Sequence, residues 1–213
     1  MTSNKKRSSL KDAKLYLILD AQVLSHSDLL KVLKDSVRFG VDIVQLRDKF
    51  GPAKDILAFC RHALKLTRHQ IPFIVNDRVD LALMAGADGV HVGQEDINCH
   101  EARRFWGAKA IIGVSCQNFA QARQAQADGA DYIGFGSVFK TQTKPERNPM
   151  DLKLLRRILE AVRIPVFAIG GINRGNVGFL TEIGVQRVAV CRDILLAKSV
   201  GGVVKELRGF LDK

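Results

Sequence analysis

Nowhere in the 213 residues does an apolar run approach the roughly 18 that a membrane-spanning helix needs. The best stretch, Leu15 to Leu19, stops at Asp20. It is also too short for the core of a secretory signal, although Lys5, Lys6 and Arg7 precede it as they would in one. Cysteine is scarce too. Cys60, Cys99, Cys116 and Cys191 form no C-x-x-C pair and have no histidine at finger spacing. That argues against a disulfide framework and a structural zinc site, and for reduced thiols. Cys116 directly follows Ser115, and an inert, buried thiol is the expectation there over a reactive one. The expectation is a soluble, cytoplasmic chain.

What is present fits one globular domain. The apolar share of 46% and the charged share of 26% sit near the soluble average, which argues against disorder. Thirty-three basic residues against twenty-two acidic ones give a net charge of +11. Residues 1–14 hold a surplus of four, leaving +7 for the rest. A basic body attracts polyanions, meaning nucleic acid or phosphorylated small molecules, and composition does not choose between them. Residues 1–13 read as a mobile, basic tail and 14–213 as the folded domain.

Beyond the tail, short apolar, β-branched runs alternate with helical spacing. The runs are Leu15–Leu19, Asp42–Leu46, Pro72–Val75, Gly89–Val92, Ala110–Val114, Tyr132–Phe135, Val166–Ile169 and Arg187–Val190. Between them, Leu29, Val32, Leu33, Ser36 and Val37 share one helical face, as do Ile56, Phe59, Cys60, Ala63 and Leu64. Val200, Val203, Val204, Leu207 and Leu211 do so near the end. Eight strands each followed by a helix predict an α/β fold, a (β/α)8 TIM barrel. A doubly wound open sheet is the runner-up, but it usually carries G-x-G-x-x-G after the first strand, where this chain has Asp20-Ala21-Gln22. Gly40-Val41-Asp42, Gly86-Ala87-Asp88 and Gly129-Ala130-Asp131, with the variant Gly184-Val185-Gln186, precede strands. Each glycine is expected to end a helix in a left-handed cap.

In such a barrel the active site gathers at the carboxyl ends of the strands. Those ends are polar here. The second strand runs into Gln45-Leu46-Arg47-Asp48-Lys49, and Gln45, Arg47 and Lys49 alternate, so they point the same way. The third ends in Asn76-Asp77-Arg78, the fourth in His91 to Asp96, and the fifth at Ser115. The sixth leads into Ser137 to Lys144, the seventh ends in Gly170-Gly171-Ile172-Asn173, and the eighth in Cys191-Arg192-Asp193. Taken singly, each has an ordinary explanation. Asp77 reads as an N-cap more readily than as a metal ligand, and His91 as a structural histidine. Trp106 and Phe105 read as packing groups. Phe135 and Phe139 are equally fit to pack a core or to cover a flat heterocycle. Together these ends collect three cations, two separated carboxylates, hydroxyls and two glycine-rich turns on one face.

The segments Q-L-R-D-K (45–49), N-D-R-V-D-L-A-L (76–83), G-A-D-G-V-H-V-G-Q-E-D (86–96), I-I-G-V-S (111–115), G-A-D-Y-I-G-F-G-S-V-F-K-T-Q-T-K-P (129–145) and A-I-G-G-I-N (168–173) have the order and spacing of thiamine-phosphate synthases. The chain resembles that family over roughly residues 14–212. A-I-G-G-I alone occurs in many phosphate-binding barrels; Q-L-R-D-K with N-D, G-Q-E-D and T-x-T-K is far more specific. The resemblance implies a Mg2+-dependent transferase that joins a pyrimidine diphosphate to a thiazole phosphate and releases pyrophosphate. It implies that Asp77 and Asp96 hold one Mg2+. Arg47, Lys49, Ser115 and Lys144 then stabilise the departing diphosphate. Gln45, Leu46, Asp48 and Asn76 complete the pyrimidine-diphosphate site. Thr141, Gln142, Thr143, Gly171, Cys191 and Arg192 hold the thiazole phosphate.

Three positions depart from the family pattern. Ser137 and Lys140 stand where proline is common, which implies a looser sixth loop. Asp193 adds a negative charge beside the implied thiazole-phosphate site. A thiazole tautomerase on the same barrel is the first rival, but it needs no diphosphate cage of the kind these residues make. A nucleic-acid-binding module is the second rival, and no recognised nucleic-acid motif supports it. The expected partners are therefore the two small substrates, with no nucleic acid and no membrane. The sequence is compatible with a homo-oligomer and does not choose an oligomeric state.

Overall fold

Eight parallel strands pair in chain order, and the last pairs with the first to close a barrel. They are β1 (Leu15–Asp20), β2 (Ile43–Arg47), β3 (Phe73–Asn76), β4 (Gly89–Val92), β5 (Ile111–Cys116), β6 (Tyr132–Phe135), β7 (Val166–Ile169) and β8 (Val188–Val190). The computed structural model describes residues 10–67, 70–143 and 148–213. Helices α1 (His26–Phe39), α2 (Ala53–Leu66), α3 (Val79–Ala85), α4 (Cys99–Trp106), α5 (Phe119–Ala127), α6 (Leu152–Ala161) and α7 (Val177–Glu182) cross between consecutive strands. A short α8 (Arg192–Leu195) and then α9 (Val200–Leu211) follow β8. Among the described residues, no helix is long and apolar enough to cross a membrane.

The strands read as unbroken apolar runs because both of their faces are covered. Leu17, Val44, Phe73, Val90, Ile112, Ile133 and Val188 face outward into a layer packed by the helices. Tyr16, Ile18, Ile43, Ile74, Ile111, Tyr132, Phe167 and Ala189 fill the interior. Four strands run one or two residues further than their apolar pattern, to Asp20, Arg47, Asn76 and Cys116. The strand ladder therefore holds polar side chains at the mouth rigidly.

The repeated Gly-Ala/Val-Asp segments act at the opposite end. Gly40, Gly86, Gly129 and Gly184 all have φ between 72° and 105°, as left-handed caps require. The following aspartates pin the start of a strand. Asp42 accepts the Leu15 N–H, Asp88 the Phe73 N–H and Asp131 the Ile112 N–H, at 2.8–2.9 Å.

Two expectations need correcting. Leu10 and Ala13 are buried against the interior cluster, so the segment read as tail plugs the barrel floor from residue 10 onward. Polar neighbours hid that apolar contact in the sequence. Phe105 is 66% exposed and packs no core, whereas Trp106 does pack against the outer layer. The first nine residues lie outside those described.

Candidate active site

At the mouth, a cavity of about 380 Å³ is lined by residues from most of the strand ends. Gln45, Arg47, Asn76, His91 and Ser115 line one side. Thr141, Gln142, Thr143, Gly171, Cys191 and Arg192 line the other. The inward alternation expected of Gln45 and Arg47 is present, since Val44 and Leu46 belong to the outer layer.

Arg47 is the best fastened of the cations. Its Nη1 donates to the Asp20 carboxylate at 3.0 Å and to the Gln22 side-chain Oε1 at 2.6 Å, and Asp20 is buried. One partner alone would leave a buried guanidinium underbonded. Two fix its plane and leave its remaining N–H donors for a ligand. Lys49 reaches across to Asp77, with Nζ 3.0 Å from Oδ2.

Asp77 is no N-cap. Arg78 occupies the cap position of α3, and Asp77 sits at φ 61°, a conformation that aspartate tolerates better than most side chains. Its N–H donates to the His91 carbonyl at 2.8 Å, tying the β3 turn to β4. Its carboxyl is pushed above the usual range by burial first and then by the facing Asp96 carboxyl, with Lys49 opposing both. The Asp96 Oδ2 accepts the Gly93 N–H at 2.7 Å, so its loop holds it in place. Two carboxylates that approach each other closely enough to raise a pKa suit a hard divalent cation, which takes one or two carboxylates together with phosphate oxygens and water. Among the described residues, no third histidine, cysteine or acid joins them as a metal-ligating cluster.

The far side rests on turns. Gly170 and Gly171 have φ of 104° and 65°, and a Cβ on either would run into Ser137 or Lys140. The Gly171 carbonyl is held by the Asn173 and Asn176 amides at 3.3 and 2.9 Å. Ser137 is buried, and its hydroxyl donates to the Phe139 carbonyl at 2.7 Å, so this serine clasps the turn. Asp193, which also lines the cavity, accepts the Arg174 N–H at 2.9 Å and pairs with its guanidinium at 3.2 Å. Burial pushes the Cys191 and Cys116 thiols up to about 12, so neither offers a thiolate.

Several expected residues have other work. Leu46 faces the helices and only its backbone is near the mouth. Asp48 points away: it pairs with His26 at 2.8 Å and accepts the Gly51 N–H at 2.8 Å, stapling the β2 loop. Phe135 is buried in the outer layer, and the half-buried Phe139 packs against it. Lys144 lies outside the described residues. Asp20, Gln22, Tyr16 and Tyr132 went unremarked as site residues. Asp20, a charge ending an apolar strand, was the available signal.

The family model for thiamine monophosphate synthase matches residues 15–194. The chain belongs to this family. It is 39% identical to the thiamine-phosphate synthase of Clostridium tetani over 203 residues, covering 95% of this chain and 97% of that one. Identity to the thiamine-phosphate synthase of Gloeobacter violaceus is 43% over 196 residues, where the chain spans only 56% of the relative's length. Thiamine phosphate pyrophosphorylase from Pyrococcus furiosus superposes with a TM-score of 0.86 at 35% identity, covering 97% of each chain.

Proposed function

We propose that this chain is a thiamine-phosphate synthase. It joins 4-amino-2-methyl-5-(diphosphooxymethyl)pyrimidine to 4-methyl-5-(2-phosphoethyl)thiazole, or its 2-carboxylate form, giving thiamine phosphate and pyrophosphate. The C–O bond to the diphosphate breaks with its electron pair leaving on the diphosphate. The methylene carbon left behind is a cation stabilised by the pyrimidine, and the thiazole nitrogen lone pair closes the new C–N bond. No proton moves in either step, so the demand on the protein is electrostatic and positional.

The observation that carries this reading is the linkage of Lys49 to Asp77 and of Asp77 to Asp96 at the ends of β2, β3 and β4, next in the chain to Asn76, which lines the cavity with Arg47 and the turns after β6, β7 and β8. Arg47 and Lys49, joined by Lys144 on the family pattern, stabilise charge on the departing diphosphate. Asn76 and Ser115 donate hydrogen bonds to it. Gln45 binds the pyrimidine. Thr141, Gln142 and Thr143 hold the thiazole phosphate together with backbone N–H groups at Gly171, Cys191 and Arg192, where barrels commonly take phosphate. Asp77 and Asp96 would hold Mg2+, which when bound would neutralise charge on the diphosphate oxygens.

The test is pyrophosphate release by the purified protein, expected only with both substrates and Mg2+ present. Release that ignores the thiazole, or no release from the complete mixture, would refute the assignment. Lys144→Ala is expected to slow turnover about 100- to 1000-fold, the usual cost of losing one preorganised donor.

A further inference from the structure

Five side chains from five strands form a continuous hydrogen-bond chain through the barrel. Gln45 on β2 meets Tyr16 on β1 at 2.8 Å through its Nε2, and the two phenol oxygens of Tyr16 and Tyr132 lie 2.7 Å apart. Tyr132 on β6 meets His91 Nδ1 on β4 at 3.1 Å, and His91 Nε2 meets Ser115 Oγ on β5 at 2.9 Å. Both ends, Gln45 and Ser115, line the cavity, while the two phenols are fully buried. Burial keeps both phenols protonated far above neutral pH. The barrel makes room for this chain: a Cβ on Gly113 would collide with the Tyr132 ring. Phe167 closes edge-on against both tyrosines, with ring centroids at 5.3 and 5.6 Å.

Each interior link has one proton to give. A phenol carries a single O–H, and a neutral imidazole carries one N–H and one lone pair. The chain is therefore directional, and its direction is shared from end to end. If Gln45 donates to Tyr16, then Tyr16 donates to Tyr132, Tyr132 to His91 Nδ1, and His91 Nε2–H to Ser115. The Ser115 proton is then left to point into the cavity. If Gln45 turns its carbonyl to Tyr16, every bond reverses and the Ser115 proton is consumed by His91. A diphosphate offers only acceptors, so only the first order is useful to it.

Building on the synthase assignment, we infer that Tyr16, Tyr132 and His91 are positioning residues that couple the two ends of the pyrimidine substrate. In the first order Gln45 presents its carbonyl to the cavity, where it accepts from the pyrimidine amino group. Binding of that amine selects the order in which Ser115 donates to the diphosphate. Recognition of the ring thus prepares the departure of the leaving group.

Two measurements test this. In 15N-histidine spectra of the wild-type protein with thiamine phosphate and pyrophosphate, the His91 signals, assigned by their loss in His91→Gln, should show the proton on Nε2 and a bare Nδ1. A proton on Nδ1 in that complex would overturn the inference. Kinetically, removing the amino group from the pyrimidine substrate and Ser115→Ala should each lower kcat. Their combined loss should fall short of the product by about five-fold or more, the scale of a real coupling. In Tyr132→Phe the same two losses should multiply. Losses that multiply in the intact protein would sink the coupling, whereas absence of pyrophosphate release by wild-type protein would sink the synthase assignment instead.

Discussion

The barrel carries aspartates at both ends, and their surroundings are opposite. At the floor, Asp131 accepts the Ile112 N–H at 2.8 Å and the Arg103 guanidinium at 2.6 Å. Asp42 likewise takes the Lys14 and Leu15 N–H groups and Arg208, at 2.7–2.9 Å. These charges are satisfied where they stand and hold strands in register. At the mouth, Asp77 has Lys49 on one side and a like-charged neighbour on the other, and its carboxyl is raised. An acid completed by its own protein stabilises the fold; an acid left in competition with another is available to a ligand.

The sharpest way to break that contrast is Asp77→Ala. Turnover should fall by more than the roughly 1000-fold upper cost of losing a single donor, while stability drops by no more than about 1–2 kcal/mol, the strain of alanine at a φ of 61°. Steady-state kinetics alongside thermal unfolding reads both, and near-normal turnover would refute the placement. Asp131→Ala should do the reverse. It strands Arg103 and a buried strand N–H, so about 3 kcal/mol of stability should be lost in denaturant titration while kcat in the folded protein stays unchanged.

A smaller effect sharpens the comparison through pH. Because the folded protein holds the Asp77 proton to higher pH than the unfolded chain does, stability falls as pH rises through the raised value. The repulsion is therefore greatest near neutral pH. Mg2+ should raise the melting temperature there by about 2–4 °C, what roughly 1 kcal/mol is worth at this size, and the gain should fade on acidification. Asp77→Asn should abolish the gain. A shift that survives in this variant, or that grows in acid, would show that the ion binds elsewhere.

Most of the barrel could be read along the chain because its cause is local. Apolar runs bounded by turns form strands, helical spacing forms covers, and glycine before aspartate ends a helix. The residues at the strand ends were readable for the same reason: β strands alternate, so Gln45 and Arg47 had to share a side. Alternation turns Asp48 the other way, where His26, 22 residues earlier, captures its carboxylate; the resemblance, and not the pattern, put Asp48 in the site. The pattern failed at Leu10, where a single apolar side chain among polar ones carries no periodicity.

What the sequence determined by itself is the order of strands and helices, the family, and the inventory of charge at the barrel mouth, since each depends on neighbours in the chain. Closure of the barrel decided the rest. Tyr16 and Tyr132, 116 residues apart, bond only because β1 and β6 face each other across a filled interior. Asp77 and Asp96 compete only because their two turns converge on one point. Such pairings have no local signature; they come from the curvature that brings distant strands within a hydrogen bond of one another.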